Sequence, residues 1–347
     1  MGVSTEAVLP WDVILRCPAS GPIIATSVDS PPEASRPAAR APFRRLRFED
    51  IPEEPRIAHG YFKSEAHETQ VESAHFGKHL IHWREWGSGP PLLLVHGLMT
   101  SSYSWRYLFE PLGEHYRLIV PDLPGCGRSD KPDVRYPASA LAAWLGEFSA
   151  AVDARGCAAI GNSLGGYLCM LAALADGGLF SRLVNIHSPG VPEPRLWALK
   201  AALSVPGVGG LLARWVQRDP ERWAHANVHY YDETLKSREE AREYGAPLIT
   251  PQGARAFTRY LADTVSPTGM ADLVRSLEKL KLEGAEFPVP LLLVYSRVDP
   301  MVPPRVGEQL AALLPGARMV WLDDSSHFAH VDSPERLLPP LLEFLGA

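Results

Sequence analysis

A serine stands in the pattern that a nucleophile on a tight strand-to-helix turn requires. Residues 157–167 read CAAIGNSLGGY, so an apolar run leads into Gly-Asn-Ser-Leu-Gly at 161–165 and then into a helical pattern. Side chains at positions 161 and 165 would collide with neighbouring backbone in so sharp a turn, which is why glycine is needed there. The turn also projects the Ser163 hydroxyl above the sheet, at the positive end of a helix. We therefore predict that Ser163 is a nucleophile rather than a helix cap.

Two further segments, together with this serine turn, resemble the α/β-hydrolase fold family. LLLVHG at 92–97 resembles the strand and His-Gly turn of that family, and YRLIVPDLPGCGRS at 116–129 resembles its next strand and loop. The resemblance covers residues 69–347. It implies a serine hydrolase in which the nucleophile is followed along the chain by an acid and then by a histidine. It also implies that Asp122 is a structural residue of the second loop.

The resemblance places the catalytic base in a loop after the last strand. A serine hydroxyl is a poor nucleophile until a histidine accepts its proton, and twelve histidines compete for that role. The loop MVWLDDSSHFAHVDSP at 319–334 offers His327 at the matching position, before an aromatic residue and an acidic, proline-containing turn. His330 remains the alternative.

The acid must hold the imidazole in the correct tautomer, so it should lie at a strand end beside the histidine loop. The segment LLLVYSRVDP at 291–300 places Asp299 just past a buried strand. The order Ser163, Asp299, His327 is the order that this fold uses. Asp323 and Asp324 remain alternatives, although they lie close in sequence to the histidine.

Acyl chemistry further requires amides that stabilise an oxyanion. We expect the first from Leu164, the residue after the nucleophile, and the second from Leu98 in the His-Gly loop, with Met99 as the alternative donor. Five residues close in sequence to these groups are candidates for the substrate pocket: Met99, Tyr103, Trp105, Asn162 and Phe328.

Short apolar runs that alternate with helical patterns predict the elements that position these residues. Such alternation is typical of βαβ units and of a parallel sheet. Residues 79–86 alternate and predict a half-exposed strand, whereas continuous apolar runs predict buried parallel strands. These runs lie at 92–95, 118–120, 158–160, 183–186, 291–295 and 319–322, with helical patterns at 138–154, 164–175, 306–314 and 334–345. The predicted fold class is α/β, with a mostly parallel, doubly wound central sheet.

One stretch, at about 191–287, interrupts this alternation with helical patterns alone. Its prolines divide it into several short helices. Because it leaves the sheet at the carboxyl edge, where open α/β sheets bind ligands, we predict a helical cap over Ser163. Its aromatic residues are candidates for the apolar roof: Trp197, Trp215, Trp223, Tyr230, Tyr231 and Phe257.

The first part of the chain differs in composition from the rest. Residues 1–58 are rich in Pro, Ala, Ser and Arg and show no sustained periodicity. We predict that they form a flexible extension and that the α/β domain occupies 69–347.

Composition and charge limit the partners that the chain can have. With 46% hydrophobic residues the chain can bury a large core, and a net charge of -6 gives no basic footprint for nucleic acid. Four cysteines without zinc-type pairs indicate reduced thiols. No signal-peptide pattern or membrane-spanning run is present. We expect a cytoplasmic protein with a small-molecule substrate, no nucleic-acid or membrane partner, and no metal or organic cofactor.

The resemblance also narrows the reaction. Haloalkane dehalogenases and epoxide hydrolases of this family need an alkylatable carboxylate where this chain has Ser163. The expected activity is hydrolysis of an ester or lactone of a small apolar substrate through an acyl-enzyme. One alternative is a carbon–carbon hydrolase of ring-cleavage products, which shares the Gly-Asn-Ser-Leu-Gly-Gly turn but usually has a glycine-rich oxyanion loop and His-Trp at the base. The other is a ligand receptor on the same fold, which usually lacks one member of the triad.

Overall fold

The computed structural model describes residues 43–347, which form one eight-stranded sheet with helices on both faces. The strands are β1 Glu65–Ser73, β2 Gly77–Trp86, β3 Pro91–Val95, β4 Arg117–Pro121, β5 Cys157–Asn162, β6 Phe180–Ile186, β7 Leu291–Ser296 and β8 Arg318–Leu322. Their order is β1-β2-β4-β3-β5-β6-β7-β8. Strand β2 is antiparallel to both neighbours, and the pairings from β4 through β8 are parallel. The predicted fold class is confirmed.

Twelve α-helices occur among the described residues. They are α1 Phe109–Gly113, α2 Ala138–Ala151, α3 Leu164–Ala175, α4 Pro194–Ser204, α5 Val208–Arg218, α6 Pro220–Asn227, α7 Arg238–Gly245, α8 Pro251–Asp263, α9 Pro267–Leu282, α10 Pro304–Leu313, α11 Ala329–Asp332 and α12 Pro334–Leu345. Alternate residues of each central strand enter two separate cores. In β3, Leu93 and Val95 face the core that includes α2 and α3, whereas Leu92 and Leu94 face the core that includes α1 and α12. Covering both faces explains why these strands are continuous apolar runs.

Strand β1 extends the sheet beyond the predicted start of the domain at Thr69. It pairs with β2 from Glu65 to Ser73. Its sequence, EAHETQVES, is mostly polar, and only Val71 and Ser73 are buried. An edge strand has one neighbour and leaves much of its surface in water, so it does not need an apolar run. For this reason the apolar pattern did not reveal it.

Helices α4–α9 form an insertion between β6 and β7, and we call residues 194–282 the helical insertion. Its own apolar cluster consists of Leu212, Val216, Trp223, Leu248, Phe257 and Leu261. Leu98 and Met99 of the sheet domain pack against this cluster. A buried ion pair also joins the two parts, because Nη2 of Arg106 lies 2.6 Å from the carboxylate of Glu240 in α7. The insertion is therefore anchored by apolar packing and by charge.

The structure differs from the prediction of a flexible extension for residues 43–58, while residues 1–42 of that extension lie outside the described residues. We call residues 43–58 the N-terminal strap. Phe48 is 9% exposed and packs with Ile51 against Ala241 of the insertion. The guanidinium groups of Arg238 and Arg222 lie 3.8 Å and 4.9 Å from the centre of its ring. Two isolated apolar residues in polar sequence produce no periodicity, which is why the pattern did not predict docking.

Backbone hydrogen bonds fix the strap to the start of α7. The carbonyl oxygens of Pro52 and Glu53 accept hydrogen bonds of 2.8 Å and 3.0 Å from the amides of Arg238 and Glu239. First-turn amides of a helix have no intrahelical acceptor, so the strap supplies acceptors that α7 would otherwise lack. Arg242 also donates to the Glu53 carboxylate at 2.8 Å. The strap is therefore part of the folded structure of the insertion.

Phe48→Ala should lower the free energy of unfolding by about 2–3 kcal/mol, because it removes a buried ring and two cation–π contacts. The matched control is Phe62→Ala, since Phe62 is 50% exposed and follows the strap by a few residues. We expect the control to lose less than half as much. Urea denaturation of the full chain measures both. Equal losses would contradict docking of the strap.

Candidate active site

Ser163 lies at a strained turn between β5 and α3. Its backbone has φ 54° and ψ -122°, in the region of positive φ that residues other than glycine rarely adopt. A Cβ atom on Gly165 would overlap the carbonyl oxygen of Val95, and one on Gly161 would overlap the backbone of Gly166. The two glycines therefore let the turn lie against β3 and α3, and the structure places Ser163 where the sequence predicts it.

His327 and Asp299 meet at the ends of neighbouring strands. His327 follows β8 and Asp299 follows β7, and Nδ1 of the histidine lies 2.7 Å from Oδ2 of the aspartate. The other oxygen, Oδ1, accepts hydrogen bonds from the amides of Met301 at 2.6 Å and Val302 at 2.9 Å. Burial raises the pKa of Asp299. The charge and hydrogen bond of His327, together with smaller effects of His187 and the Val302 amide, outweigh burial, so the net pKa lies below its usual value. Asp299 is thus an ionised partner that can orient the imidazole.

Ser163 and His327 line the same cavity. Among the described residues no hydrogen bond joins their side chains; catalytic hydrogen bonds are often long in structures without substrate. Since Nδ1 of His327 is held by Asp299, Nε2 is the nitrogen available to accept a proton. The three predicted residues are brought together at one edge of the sheet.

The alternative base and acids lie elsewhere. His330 is buried, its ring centre lies 4.4 Å from that of Trp105, and it does not line the cavity that holds Ser163. Asp323 forms an exposed ion pair with Arg297 at 3.3 Å. Asp324 forms one with Arg336 at 2.9 Å. His327 and Asp299 are therefore the pair that the geometry favours.

His96 and Asp122 hold the loops beside Ser163. Nδ1 of His96 lies 2.7 Å from the carbonyl oxygen of Gly97, and its Nε2 accepts a hydrogen bond of 3.0 Å from the amide of Leu123. Asp122 accepts one of 2.8 Å from the amide of Ser102. Both side chains are buried and away from the cavity. Their contacts fit structural roles in positioning the His-Gly loop.

The residues predicted to donate to an oxyanion lie beside Ser163. Leu164 is the first residue of α3, so its amide has no intrahelical acceptor. Leu98, Met99 and Leu164 all line the cavity with Ser163. A Cβ atom on Gly97 would lie 3.0 Å from that of Ser163, which shows how closely the His-Gly loop passes this serine. The structure thus brings the predicted donor residues to the same cavity as Ser163.

Of the five predicted pocket residues, Met99 and Phe328 line the cavity. Tyr103 and Trp105 do not, and the prediction is wrong for them. Tyr103 is buried and donates a hydrogen bond of 2.6 Å to Glu239 of the insertion, while Trp105 packs on His330. Both lie in a short 3₁₀ helix, Ser102–Trp105, whose four residues are all buried. Proximity in sequence to the His-Gly loop does not determine which side of the loop a ring occupies.

Asn162 is also absent from the cavity lining, and its side chain instead contacts the backbone of neighbouring segments. Its Nδ2 donates hydrogen bonds to the carbonyl oxygens of His327 at 3.0 Å and of Ile186 at 3.3 Å. The residue before Ser163 thus holds the backbone of the proposed base. Position 162 precedes the serine on a buried strand, but only the tertiary structure shows that its amide reaches residue 327.

The cavity is mainly aliphatic and has a volume of about 800 Å³ including its opening. Its walls come from the insertion, from the loop that precedes it and from the segment between β7 and the first turn of α10, and they include Val191, Leu196, Leu199, Leu261, Val265, Met301, Val302 and Val306. The expectation of an aromatic roof is wrong for this cavity, because none of the six predicted rings lines it. Phe257 lines a neighbouring cavity of about 410 Å³ that shares Leu98 and Met99. Trp197 and Trp215 instead face solvent.

No group of three or more His, Cys, Asp or Glu side chains among residues 43–347 is arranged to hold a metal ion. Cys126, Cys157 and Cys169 are free thiols, and Cys17 lies outside the described residues.

Comparison with known proteins gives the family. The profile described as alpha/beta hydrolase fold matches residues 90–334, a range that contains Ser163, Asp299 and His327. The chain belongs to the alpha/beta hydrolase fold family. A pimeloyl-[acyl-carrier protein] methyl ester esterase from Aeromonas salmonicida is 29% identical over 265 residues, which cover 75% of this hydrolase-fold chain and 97% of the relative.

Solved structures share the alpha/beta hydrolase fold at lower identity. A thermophilic esterase from Thermogutta terrifontis has a TM-score of 0.63 and 22% identity, over 81% of this chain and 98% of that one. The haloalkane dehalogenase DatA from Agrobacterium tumefaciens C58 has a TM-score of 0.66 and 21% identity, over 83% and 99%. An esterase and a dehalogenase thus resemble the chain equally well, so the reaction must be argued from the site.

Asn162→Ala should lower kcat by about 10- to 100-fold, because displacement of the proposed base by even 1 Å is costly. Asn185→Ala is the matched control, since Asn185 is buried on neighbouring β6 but donates to the sulfur of Met170. Both variants should lose about 1–3 kcal/mol of unfolding free energy. Steady-state kinetics and urea denaturation separate the two effects. Similar kcat losses in both variants would show that Asn162 acts only through stability.

Proposed function

We propose that this alpha/beta hydrolase cleaves a carboxylic ester or lactone of a small apolar substrate, with Ser163 as nucleophile, His327 as base and Asp299 as the orienting acid. The observation that carries the proposal is that Ser163 and His327 line one apolar cavity while Nδ1 of His327 lies 2.7 Å from Asp299. A nucleophile, a base and a group that orients the base are the parts that acyl transfer needs.

In the acylation step, Oγ of Ser163 attacks the substrate carbonyl carbon and its proton passes to Nε2 of His327. The Asp299 carboxylate stabilises the imidazolium that forms. The amides of Leu164 and Leu98 donate to the developing oxyanion, an effect of about 3–4 kcal/mol for each donor. His327 then protonates the leaving alcohol, and an acyl-enzyme on Ser163 remains.

In the second step, His327 removes a proton from water, which attacks the acyl carbon. Collapse of this second tetrahedral intermediate releases the carboxylic acid and returns the proton to Ser163. No metal or cofactor takes part in either step. The two steps use the same donors and the same histidine, so one site is sufficient for the whole reaction.

The cavity supports an apolar acyl group. Leu196 and Leu199 of α4 and Leu261 of α8 face Ser163 across it, so the insertion acts as a cap that selects the substrate. The relative from Aeromonas salmonicida is named as a methyl ester esterase, which supports an ester with a small leaving group. We therefore place the acyl chain against the aliphatic walls and the alcohol towards the opening.

A substrate panel tests the proposal against the other two functions that the sequence leaves open. Chromogenic esters, lactones and a dienone diketo acid are assayed with the wild type and Ser163→Ala. Turnover of esters or lactones that is lost in the variant supports the proposal, whereas turnover of the diketo acid alone indicates a carbon–carbon hydrolase. Failure of Ser163 to react with a fluorophosphonate probe would indicate a ligand receptor.

Ser163→Ala and His327→Ala should each lower kcat by about 10⁴-fold, and the double variant should be no slower than either, because the two residues act as one unit. Asp299→Asn should cause a similar or milder loss. Asp323→Asn is the control, since its carboxylate is exposed and paired with Arg297. Kinetics on the best ester measure all five variants. If Asp323→Asn is more damaging than Asp299→Asn, the assignment of the acid is wrong.

Leu196→Trp should fill part of the cavity and lower kcat/KM for octanoyl esters relative to acetyl esters by at least about 10-fold, within the 1–3 kcal/mol that pocket contacts discriminate. Leu203→Trp on the same helix is the control, because Leu203 does not line this cavity. Kinetics with p-nitrophenyl esters of two to ten carbons provide the comparison. A change of the same factor for every chain length would place the acyl group elsewhere.

A further inference from the structure

Two helices of the insertion expose large apolar side chains. Trp197 of α4 is 50% exposed, Val205 between the helices is 54% exposed, and Leu211 and Trp215 of α5 are 66% and 36% exposed. We call α4, α5 and their connection, residues 194–218, the exposed hairpin. No single helix among residues 43–347 is long and apolar enough to cross a membrane, whereas α4 and α5 meet that test only as a pair bent by 97°.

Helix α5 is apolar on two faces, one buried and one exposed. Leu212 and Val216 point inward and belong to the apolar cluster of the insertion. Leu211 and Trp215, together with Arg214 and Arg218, are exposed and recur at the spacing i, i+3, i+4 and i+7, which places them on one outer face. The inner face already supplies the core packing of the helix. The outer leucine and tryptophan are therefore additional to what the fold requires.

The charge of the hairpin is opposite to that of the whole chain. Residues 194–218 contain four basic residues, Arg195, Lys200, Arg214 and Arg218, and no Asp or Glu, whereas the chain has a net charge of -6. Arg214 and Arg218 are exposed on the same face as Trp215. The ammonium of Lys200 lies 5.9 Å from the centre of the Trp197 ring. Basic and apolar side chains thus lie side by side on each of the two helices.

We propose that the exposed hairpin binds the surface of a bilayer that contains anionic lipid. Helices that lie in the membrane interface combine Trp and Leu, which enter the headgroup region, with Lys and Arg, which pair with anionic headgroups. The hairpin has both components and no acidic residue that would oppose them. The expectation of no membrane partner rested on the absence of a spanning segment, and binding at the surface does not require one.

The position of the hairpin gives this binding a role in substrate entry, a step that rests on the proposed function. Leu196 and Leu199 of α4 line the cavity that holds Ser163, while Trp197 of the same helix faces outward. A bound hairpin therefore separates the cavity from the lipid by the thickness of one helix. An apolar ester dissolved in the bilayer then reaches the cavity by a short path along α4.

The test is binding of the full chain to vesicles, measured by co-sedimentation. Vesicles of phosphatidylcholine and phosphatidylglycerol in equal amounts should bind the protein at least 10-fold more tightly than phosphatidylcholine alone, and added salt should weaken this binding. Leu211→Ser with Trp215→Ser should lower binding at least 10-fold. Arg214→Glu with Arg218→Glu should remove the preference for phosphatidylglycerol. Ser163→Ala should bind as the wild type does, so failure of catalysis and failure of binding remain distinguishable.

The matched controls lie on α9. Leu282 is 88% exposed and Lys279 is an exposed basic residue, so Leu282→Ser and Lys279→Glu change similar groups on another surface and should leave binding unchanged. If circular dichroism shows that the variant with Leu211→Ser and Trp215→Ser does not fold, Trp197→Ser is tested in its place.

The proposal is overturned if the wild type does not bind phosphatidylglycerol vesicles, or if the hairpin variants bind as well as the wild type. It is also overturned if sedimentation velocity without lipid shows a dimer that Leu211→Ser with Trp215→Ser converts to a monomer. That result would assign the face to self-association.

Discussion

The buried hydrogen bond between His327 and Asp299 is the interaction on which the rest of the site depends. It joins the loops after β7 and β8. The carboxylate of Asp299 stays ionised inside the protein because two backbone amides donate hydrogen bonds to its other oxygen. From the opposite side, the amide of Asn162 holds the backbone of the histidine. The imidazole is therefore fixed relative to β5, the strand that ends at Ser163. Any displacement of one of these three strands would separate His327 from Ser163, the proposed base from the proposed nucleophile.

The helical insertion is attached to the sheet domain by contacts of two kinds. Apolar packing joins its cluster to Leu98 and Met99, so the same residues bound the cavity and support the helices above it. The Arg106–Glu240 pair adds a buried charge contact, in which Tyr230 also donates to Glu240 at 2.6 Å. Removing one partner of such a pair leaves an uncompensated charge in a region without water. Together the two kinds of contact join α7 and the apolar cluster of the insertion to the sheet domain.

Local constraints could be predicted from sequence, and long-range contacts could not. The glycines around Ser163 and the apolar runs of the central strands reflect sterics and burial within a few residues, so the elbow and the fold class followed from them. The positions expected for Asp299 and His327 came from the resemblance to the α/β-hydrolase family. The start of strand β1 was not predicted because an edge strand can be polar. Tyr103 and Trp105 were misplaced because a ring beside a loop can face the core as well as the cavity. The aliphatic walls of the cavity were missed because aromatic content says nothing about the direction in which each side chain points.

The N-terminal strap has a consequence for how the chain folds and how it can be divided. Its contacts with α7 join residues far apart along the chain, because Glu53 and Arg242 are separated by 189 positions. Closing so large a loop costs conformational entropy before any contact forms, so we expect the strap to dock after the insertion that it touches has folded. The strap also lies outside the range 90–334 that the family profile matches. A chimera that exchanges domains at the limits of that range would receive α7 without the carbonyl groups that complete its first turn, so exchange of the insertion between relatives requires exchange of the strap as well.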